Sequence, residues 1–190
     1  MRVELREALK RRHSIRLYTG EPVSKDVLED LIEAAIAAPS SLNAQPWHFH
    51  VALGDARRRV GEAVAQSTRF LEEYAGVLPP GMLEKAAAFY ADLGKAPVVI
   101  GVSVPDSADE VELINFLVAA GAAIENLMLR ATDLGLGACC ITAPRWVVEE
   151  VKAALQVPAD RVLAGLVLVG EPAEEPPTTE RRRDVVTYLE

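Results

Sequence analysis

The sequence predicts an α+β domain in which helices flank a central sheet. Two continuous apolar runs, 97–104 and 162–169, are typical of strands that are buried on both faces. Apolar residues at helical spacing occupy 25–38, and a long stretch over 108–134 is apolar on nearly every side. These runs define the strands and the helices of the predicted core.

The first part of the chain is predicted to form two helices. Residues 3–12 form a short one, and Ser24 is a favourable N-cap for the longer one at 25–38. Pro39 ends the second helix, because its ring and its missing N–H cannot continue the hydrogen-bond ladder.

The next predicted strand is half-buried, with three apolar residues that alternate with polar or small ones: Phe49, Val51 and Leu53. Asp55 is the predicted cap of a helix that extends to about Gln66. A further helix over 82–93 is stopped by Gly94. No pattern assigns 67–81, apart from a break at the Pro-Pro-Gly sequence 79–81.

The predicted helix over 108–134 has a central stretch that is broken chiefly by three polar residues: Asn115, Glu125 and Asn126. A helix that is apolar all round must be buried on all sides. It therefore either lies at the centre of the domain or is shared with a second subunit. Gly135 ends it.

The last third of the chain begins with a short apolar segment, 136–141. It leads to Pro144, which is predicted at the first position of a helix that runs to about Leu155. The tail is rich in proline and charge from 171 onward and ends in the apolar stretch 185–189, which suits docking as a strand.

The composition is that of one globular domain spanning residues 1–190, with 50% of the residues hydrophobic and 25% charged. A net charge of −8 disfavours nucleic acid as a partner. The charged residues directly after Met1 lead us to expect no signal peptide, and no uninterrupted apolar run reaches the length of a membrane span. The adjacent Cys139 and Cys140 cannot form an ordinary disulfide, so the expected location is the reducing cytoplasm.

The segment 39–47 is the first candidate binding site. It offers the hydroxyls of Ser40 and Ser41, the carboxamides of Asn43 and Gln45, and free backbone N–H groups. Such a segment can wrap the polar edge of a flat heterocycle. Alternatively, its serine and asparagine side chains satisfy the backbone of their own loop.

The segment 11–16 is the second candidate site. If the chain is extended there, Arg12, Ser14 and Arg16 point to one side. Two guanidinium groups and a hydroxyl suit a phosphate. The alternative is a solvated basic patch at the C-terminus of a helix, where cations are favoured anyway.

The two segments in this order resemble the FMN-dependent nitroreductase family. The chain carries both motifs of that family in full, as Arg12-His13-Ser14-Ile15-Arg16 and Ala38-Pro39-Ser40-Ser41-Leu42-Asn43-Ala44-Gln45-Pro46-Trp47. Its Leu134-Gly135-Leu136-Gly137 is also similar to the family. The resemblance implies a nitroreductase-like fold with a central mixed sheet, a long buried helix and a C-terminal arm around a partner subunit. It further implies a homodimer with FMN at the subunit interface.

The resemblance assigns FMN binding to a set of residues spread along the chain: Arg12, His13, Ser14, Arg16, Pro39, Ser40, Ser41, Asn43, Cys140, Ile141, Thr142, Ala143 and Arg181. Arg12 and Ser14 are expected at the phosphate and ribityl end, and Arg16 near the ribityl chain or the pyrimidine edge. The residues of 39–43 are expected to reach the flavin from the other subunit.

The backbone N–H of Thr142 is the group that the resemblance places at flavin N5. Many family members have an acidic residue and a glycine where this chain has Thr142 and Ala143. A basic residue of the tail closes over the phosphate in relatives, and Arg181 is the best match within 181–183. Trp47 is expected either to shape its segment or to be an ordinary core or interface aromatic.

The activity that the resemblance implies is that of an NAD(P)H oxidoreductase without a protein nucleophile. NADH or NADPH would pass hydride to flavin N5 and leave, and a flat, electron-poor acceptor such as a nitroaromatic or a quinone would take its place. The rivals are a same-fold enzyme with other chemistry, namely reductive dehalogenation or flavin destruction, and a non-catalytic flavin-binding or regulatory protein. The acceptor and the preferred nicotinamide stay open.

Competing chemistries have weaker support in the sequence. Cys139 and Cys140 lie in an apolar context with no nearby cation to lower the thiol pKa, which favours buried structural cysteines. His48 and His50 share a strand face, but no suitably spaced acidic residue supports a metal site. No glycine-rich dinucleotide loop follows a strand.

Overall fold

The apolar runs and amphipathic helices of this chain assemble into a four-stranded sheet with helices on both faces. A computed structural model describes residues 4–74, 81–144, 146–175 and 180–189. The strands are β1 (His48–Ala52), β2 (Val98–Pro105), β3 (Gly137–Ile141) and β4 (Arg161–Gly170). The helices are α1 (Leu5–Arg11), α2 (Lys25–Ile36), α3 (Gly54–Ala65), α4 (Met82–Asp92), α5 (Glu110–Asp133) and α6 (Val148–Ala154). Short 3-10 segments are Ser41–Asn43, Gln66–Tyr74 and Leu93–Lys95.

The strand order is β1-β2-β4-β3, and each neighbouring pair is antiparallel. The two central strands are those predicted from the continuous apolar runs, which confirms that inference. The sheet formed by these four strands is antiparallel rather than mixed, and a single isolated parallel bridge joins Ser14 to Ala138, beside β3. The chain around Ser14 therefore lies along the sheet edge opposite β1.

Two apolar clusters hold the sheet between its helices. Because strand side chains alternate, Val167 and Val169 of β4 pack with α2 and α5, while Leu166 and Leu168 pack with α3 and α6. Phe49 packs against the first cluster.

Three local predictions can be compared with the structure. The Ser24 side chain accepts a hydrogen bond from the Val27 N–H at 3.4 Å, which confirms it as the cap of α2. Asp55 is not a cap, because α3 begins at Gly54 and Asp55 already lies in its first turn. Pro144 is not the first residue of α6. It lies in a turn, where its carbonyl accepts from the Val147 N–H, and the helix begins only at Val148.

The prediction that the long helix is buried on all sides is wrong for a single chain. The face of α5 toward the sheet and α2 is buried, but Val111, Ile114 and Val118 expose 67%, 57% and 68% of their surface. The alternative of a helix shared with a second subunit fits this exposure. By length and composition alone α5 could also cross a membrane, a property it shares with core helices of soluble proteins.

The predicted buried face of β1 is also wrong in part. Val51 and Leu53 expose 41% and 44% of their surface, whereas Ala52 is buried. The reason is position, since β1 is an edge strand and α2 covers it incompletely, leaving an apolar groove. The tail also remains uncovered: no strand forms within 180–189, and its apolar side chains are exposed. The break predicted at 79–81 lies largely outside the described residues.

Candidate functional site at the two edges of the sheet

The segment that follows α1 runs extended along the β3 edge of the sheet. Its register is set by the parallel bridge at Ser14 and by a hydrogen bond from the Ile15 N–H to the Ala138 carbonyl at 3.1 Å. Ile15 points into the core, which confirms the predicted alternation at this position. The first motif is therefore part of the sheet edge rather than a loose basic patch.

Two glycines allow this close approach. A Cβ on Gly94, which has a φ of +60°, would lie 1.8 Å from the Arg16 carbonyl oxygen. A Cβ on Gly137 would lie 2.8 Å from the Ile15 side chain. Both positions therefore require glycine, because protein atoms do not pack this closely.

The Arg12 guanidinium forms an ion pair with Glu125 of α5 at 2.8 Å, and its side chain is only 20% exposed. In the sequence Glu125 is visible only as an interruption of an apolar helix. That interruption is the one sign of the ion pair, because a carboxylate in such a helix needs a cation nearby. Glu125 holds Arg12 at the sheet edge.

The side chains of the first motif lie close to the thiol of Cys139. The charges of Arg16 and Arg12 and a hydrogen bond from Ser14 all lower the pKa of Cys139, although burial raises it by more. Our expectation that no cation lies near this thiol is therefore wrong. Its net pKa is still raised, and burial raises the pKa of Cys140 to about 11, so both behave as buried structural thiols.

A carboxylate already occupies backbone donors beside this cluster. Glu174 accepts hydrogen bonds from the N–H groups of Arg16 and Leu17, at 2.5 and 3.1 Å. Successive backbone N–H groups that bind one oxygen form a concave anion site. This contact was invisible in the sequence, because it joins residues 158 positions apart.

The turn that carries Thr142 lies at the same edge. It follows the end of β3 at Ile141, and Thr142 is exposed. Thr142 is four residues beyond Ala138, about 13 Å along an extended chain. Cys140, Ile141 and Ala143 are half-buried around it. The β3 edge therefore presents cations and a hydroxyl at one end and an exposed backbone turn at the other.

The second motif lies at the opposite edge, where it leads into β1. Three of its non-glycine residues have left-handed backbone conformations: Leu42, Asn43 and Gln45, with φ of 50°, 56° and 47°. The Ser40 hydroxyl accepts from the Gln45 N–H at 3.0 Å, as the self-satisfied loop alternative predicts for that serine. Leu42 is 100% exposed. Such conformations are uncommon and cluster at functional sites.

Trp47 and Arg181 complete the set of predicted residues. Trp47 is a core aromatic, 9% exposed and packed in the α2–α5 cluster. Arg181 and Arg183 are exposed, whereas Arg182 pairs with Asp184 at 2.9 Å. No ion pair joins Arg181 to another residue within the described parts of the chain.

The two motifs are separated in one chain. β2 and β4 lie between β1 and β3, and at about 4.8 Å per strand the Ser14 bridge is roughly 19 Å from β1. Four cavities formed by described residues are lined by other residues than Arg12, Ser14 and the 39–43 segment. In one chain the two motifs therefore lie at different edges of the sheet.

Comparison with known proteins gives consistent matches. The model of the Nitroreductase family matches residues 9–171. An NADH dehydrogenase of Thermus thermophilus is 31% identical over 189 residues, which cover 88% of this chain and 86% of that protein. The structure of a variant of NfnB, an FMN- and NADPH-dependent nitroreductase from sphigopyxis sp. strain HMH, is 25% identical. It superposes with a TM-score of 0.80 over 99% of this chain and 100% of that one.

A further solved structure with the same fold carries other chemistry. Oxidised iodotyrosine deiodinase bound to FMN and 3-iodo-L-tyrosine superposes with a TM-score of 0.79 and 23% identity, over 98% of this chain and 100% of that one. At this identity the likeness concerns the fold alone.

Proposed function

The chain belongs to the nitroreductase family, and on that premise we propose that it is an FMN-dependent NAD(P)H oxidoreductase. Its acceptors are flat and electron-poor, such as nitroaromatics or quinones. The observation that supports the proposal is the extended first motif, in which Arg12, Ser14 and Arg16 all lie near Cys139 at the β3 edge. That arrangement is the donor set that a phosphate requires.

The donors present fit FMN at its phosphate end. Arg12 and Ser14 bind the phosphate and the ribityl end, Arg16 lies toward the ribityl chain, and His13 belongs to the same extended segment. The backbone N–H groups of Arg16 and Leu17 already donate to Glu174, so the phosphate would be bound by the side chains of the motif. When bound, FMN supplies the two-electron hydride chemistry.

The protein's own groups orient the flavin and exclude water. The segment from Cys140 to Ala143 would hold the flavin ring, with the backbone N–H of Thr142 as the donor to N5. Arg181 of the tail would bind the phosphate. A ping-pong order, in which the nicotinamide leaves before the acceptor binds, is part of the proposal.

A homodimer completes the site. Pro39, Ser40, Ser41 and Asn43 reach the flavin from the partner subunit, which is consistent with the strand spacing that separates the two motifs in one chain. The exposed apolar residues of α5 support the same arrangement, since such a surface is normally covered. A single species of monomer mass in sedimentation at micromolar concentration would contradict the dimer.

Visible absorption of the purified protein, before and after FMN and then NADH or NADPH, tests the activity. We expect flavin bands that bleach with a nicotinamide and recover with a quinone or a nitroaromatic. A protein that stays colourless with added FMN contradicts the site. Flavin that binds but never bleaches favours the non-catalytic alternative, and release of halide from a halogenated phenol favours dehalogenation.

A further inference from the structure

A basic cavity of about 660 Å³ opens beside β1, the strand that follows the second motif, and is lined by none of residues 38–47. It lies on the sheet face that packs with α3 and α6, because its Ala52, Ala56 and Leu155 belong to that apolar cluster. Its charged and titratable lining consists of four basic groups and one acid: His48, His50, Arg59, Arg161 and Asp160. Cavities of this size hold small organic molecules.

Arg161 is held rigidly in the wall of this cavity by uncharged partners. Its Nε donates to the Ser103 hydroxyl at 2.9 Å, and one terminal nitrogen donates to the carbonyls of Ser103 and Pro46, at 2.9 and 2.6 Å. Burial lowers the pKa of Arg161. Neither Arg161 nor Arg59 forms an ion pair with a carboxylate in the described part of the chain. The two arginines of the lining outnumber its one carboxylate, Asp160, whose charge acts on Arg161 from a distance.

Two histidines line the same wall of the cavity. The Ser103 oxygen accepts from Arg161, so its own proton is available to His50 Nε2 at 3.0 Å. This keeps His50 neutral, and burial together with His48 and Arg161 lowers the pKa of His50. The rings of His48 and His50 lie 4.7 Å apart. Such a local excess of positive charge is unusual in a chain of net charge −8.

We propose that this cavity is a second binding site, for a phosphate-bearing small molecule of about nucleotide size. A guanidinium that is already oriented loses little freedom when it binds a phosphate oxygen. The volume exceeds what a bare phosphate needs, and apolar side chains such as Ala56 and Leu155 line the remainder. The phosphate belongs either to a free mononucleotide or to a dinucleotide.

Calorimetric titration of the purified, FMN-saturated protein with AMP tests the proposal, with adenosine as the probe that lacks the phosphate. We expect AMP to bind and adenosine to bind at least tenfold more weakly, because one charge-assisted contact contributes about 1.5–3 kcal/mol. Arg59→Gln should weaken AMP binding about tenfold. Arg58→Gln is the control, since Arg58 is the preceding residue of α3 but pairs with Glu62 and Asp55 outside the cavity.

Asp160→Asn should change AMP affinity in the opposite direction to Arg59→Gln, which tests the role of charge. Removing the one acid of the lining should tighten AMP binding. Displacement of AMP by NADP⁺ but not by NAD⁺ would identify a dinucleotide phosphate as the source, and displacement by neither would identify a mononucleotide. Equal affinity for AMP and adenosine, or equal effects of Arg59→Gln and Arg58→Gln, would overturn the proposal. The titration can also be run without FMN, so a failure to bind flavin is a separate result.

Discussion

The two edges of the sheet carry the two motifs in different physical states. At the β3 edge, a strand bridge, the Glu125 ion pair and the close packing of Gly94 hold the first motif within its own chain. At the β1 edge, the 39–47 segment projects a fully exposed Leu42 and has three left-handed residues. The first motif is held by contacts within its own chain, whereas the second contains backbone conformations that are unfavourable for residues other than glycine.

Gly94→Ala should have the largest effect, because it displaces the first motif from the sheet edge. The new Cβ would lie 1.8 Å from the Arg16 carbonyl oxygen, so the segment must move. We expect a loss of about 3 kcal/mol or more in the free energy of unfolding, measured by urea denaturation, together with weaker FMN binding. Gly20→Ala is the control. It has a similar positive φ, but its nearest neighbour would be 3.9 Å away, and it should lose only about 1 kcal/mol.

The thiols of β3 should react slowly, because this edge is packed. Burial raises the pKa of Cys140 to about 11 from its usual 9.0, so at pH 8 its thiolate fraction falls about 100-fold. Alkylation of the native protein by iodoacetamide at pH 8 should be slower by that factor than in urea, followed by mass spectrometry. The rate should rise with pH up to about 11. Equal rates in the native and the unfolded protein would show that this edge is open.

Arg12→Ala should remove one contact to the flavin phosphate without unfolding the chain. We expect FMN to bind more weakly by about 1.5–3 kcal/mol, measured by quenching of flavin fluorescence. The free energy of unfolding should change by less than about 1 kcal/mol, because the pair with Glu125 is partly exposed. Arg11→Ala, the exposed neighbour at the end of α1, should leave FMN affinity unchanged.

Leu42→Gly should sharpen the contrast between the edges with the smallest effect. Glycine adopts a φ of 50° without strain. The free energy of unfolding should therefore stay the same or increase by up to about 1 kcal/mol. FMN affinity and turnover should fall, because the segment becomes less ordered. A clear loss of stability would show that Leu42 packs within its own chain.

The periodicity of the sequence was sufficient for most of the fold. The helix at 25–38 and the strands at 97–104 and 162–169 were predicted correctly, because each element buries a face that its own residues define. The burial of α5 and β1 was predicted less well. Their exposed apolar residues depend on what covers the outer helix and the edge strand, which local patterns do not encode.

The site was predicted less completely than the fold. The alternation around Ile15 correctly indicated that this side chain faces the core, and the polar loop at 39–47 stood out in the sequence. The partners of these residues were not recognised, since Glu125 and Glu174 are distant in sequence from the groups that they bind. Contacts between remote segments depend on the packing of the sheet, and the sequence offers only the polar interruption at Glu125 as a signal.

Subunit complementation tests most directly whether the two edges form one site across a dimer. Arg12→Ala weakens FMN binding by the first motif, and a Ser40→Ala, Asn43→Ala double variant weakens it by the second. Equal amounts of the two proteins are unfolded, refolded together and assayed for NAD(P)H oxidation at an FMN concentration that fills the wild-type sites but not those of either variant. About half of the dimers should be hybrids with one intact site each, which predicts about a quarter of the wild-type activity. A mixture no more active than its components would contradict a shared site and place both motifs' functions within one chain.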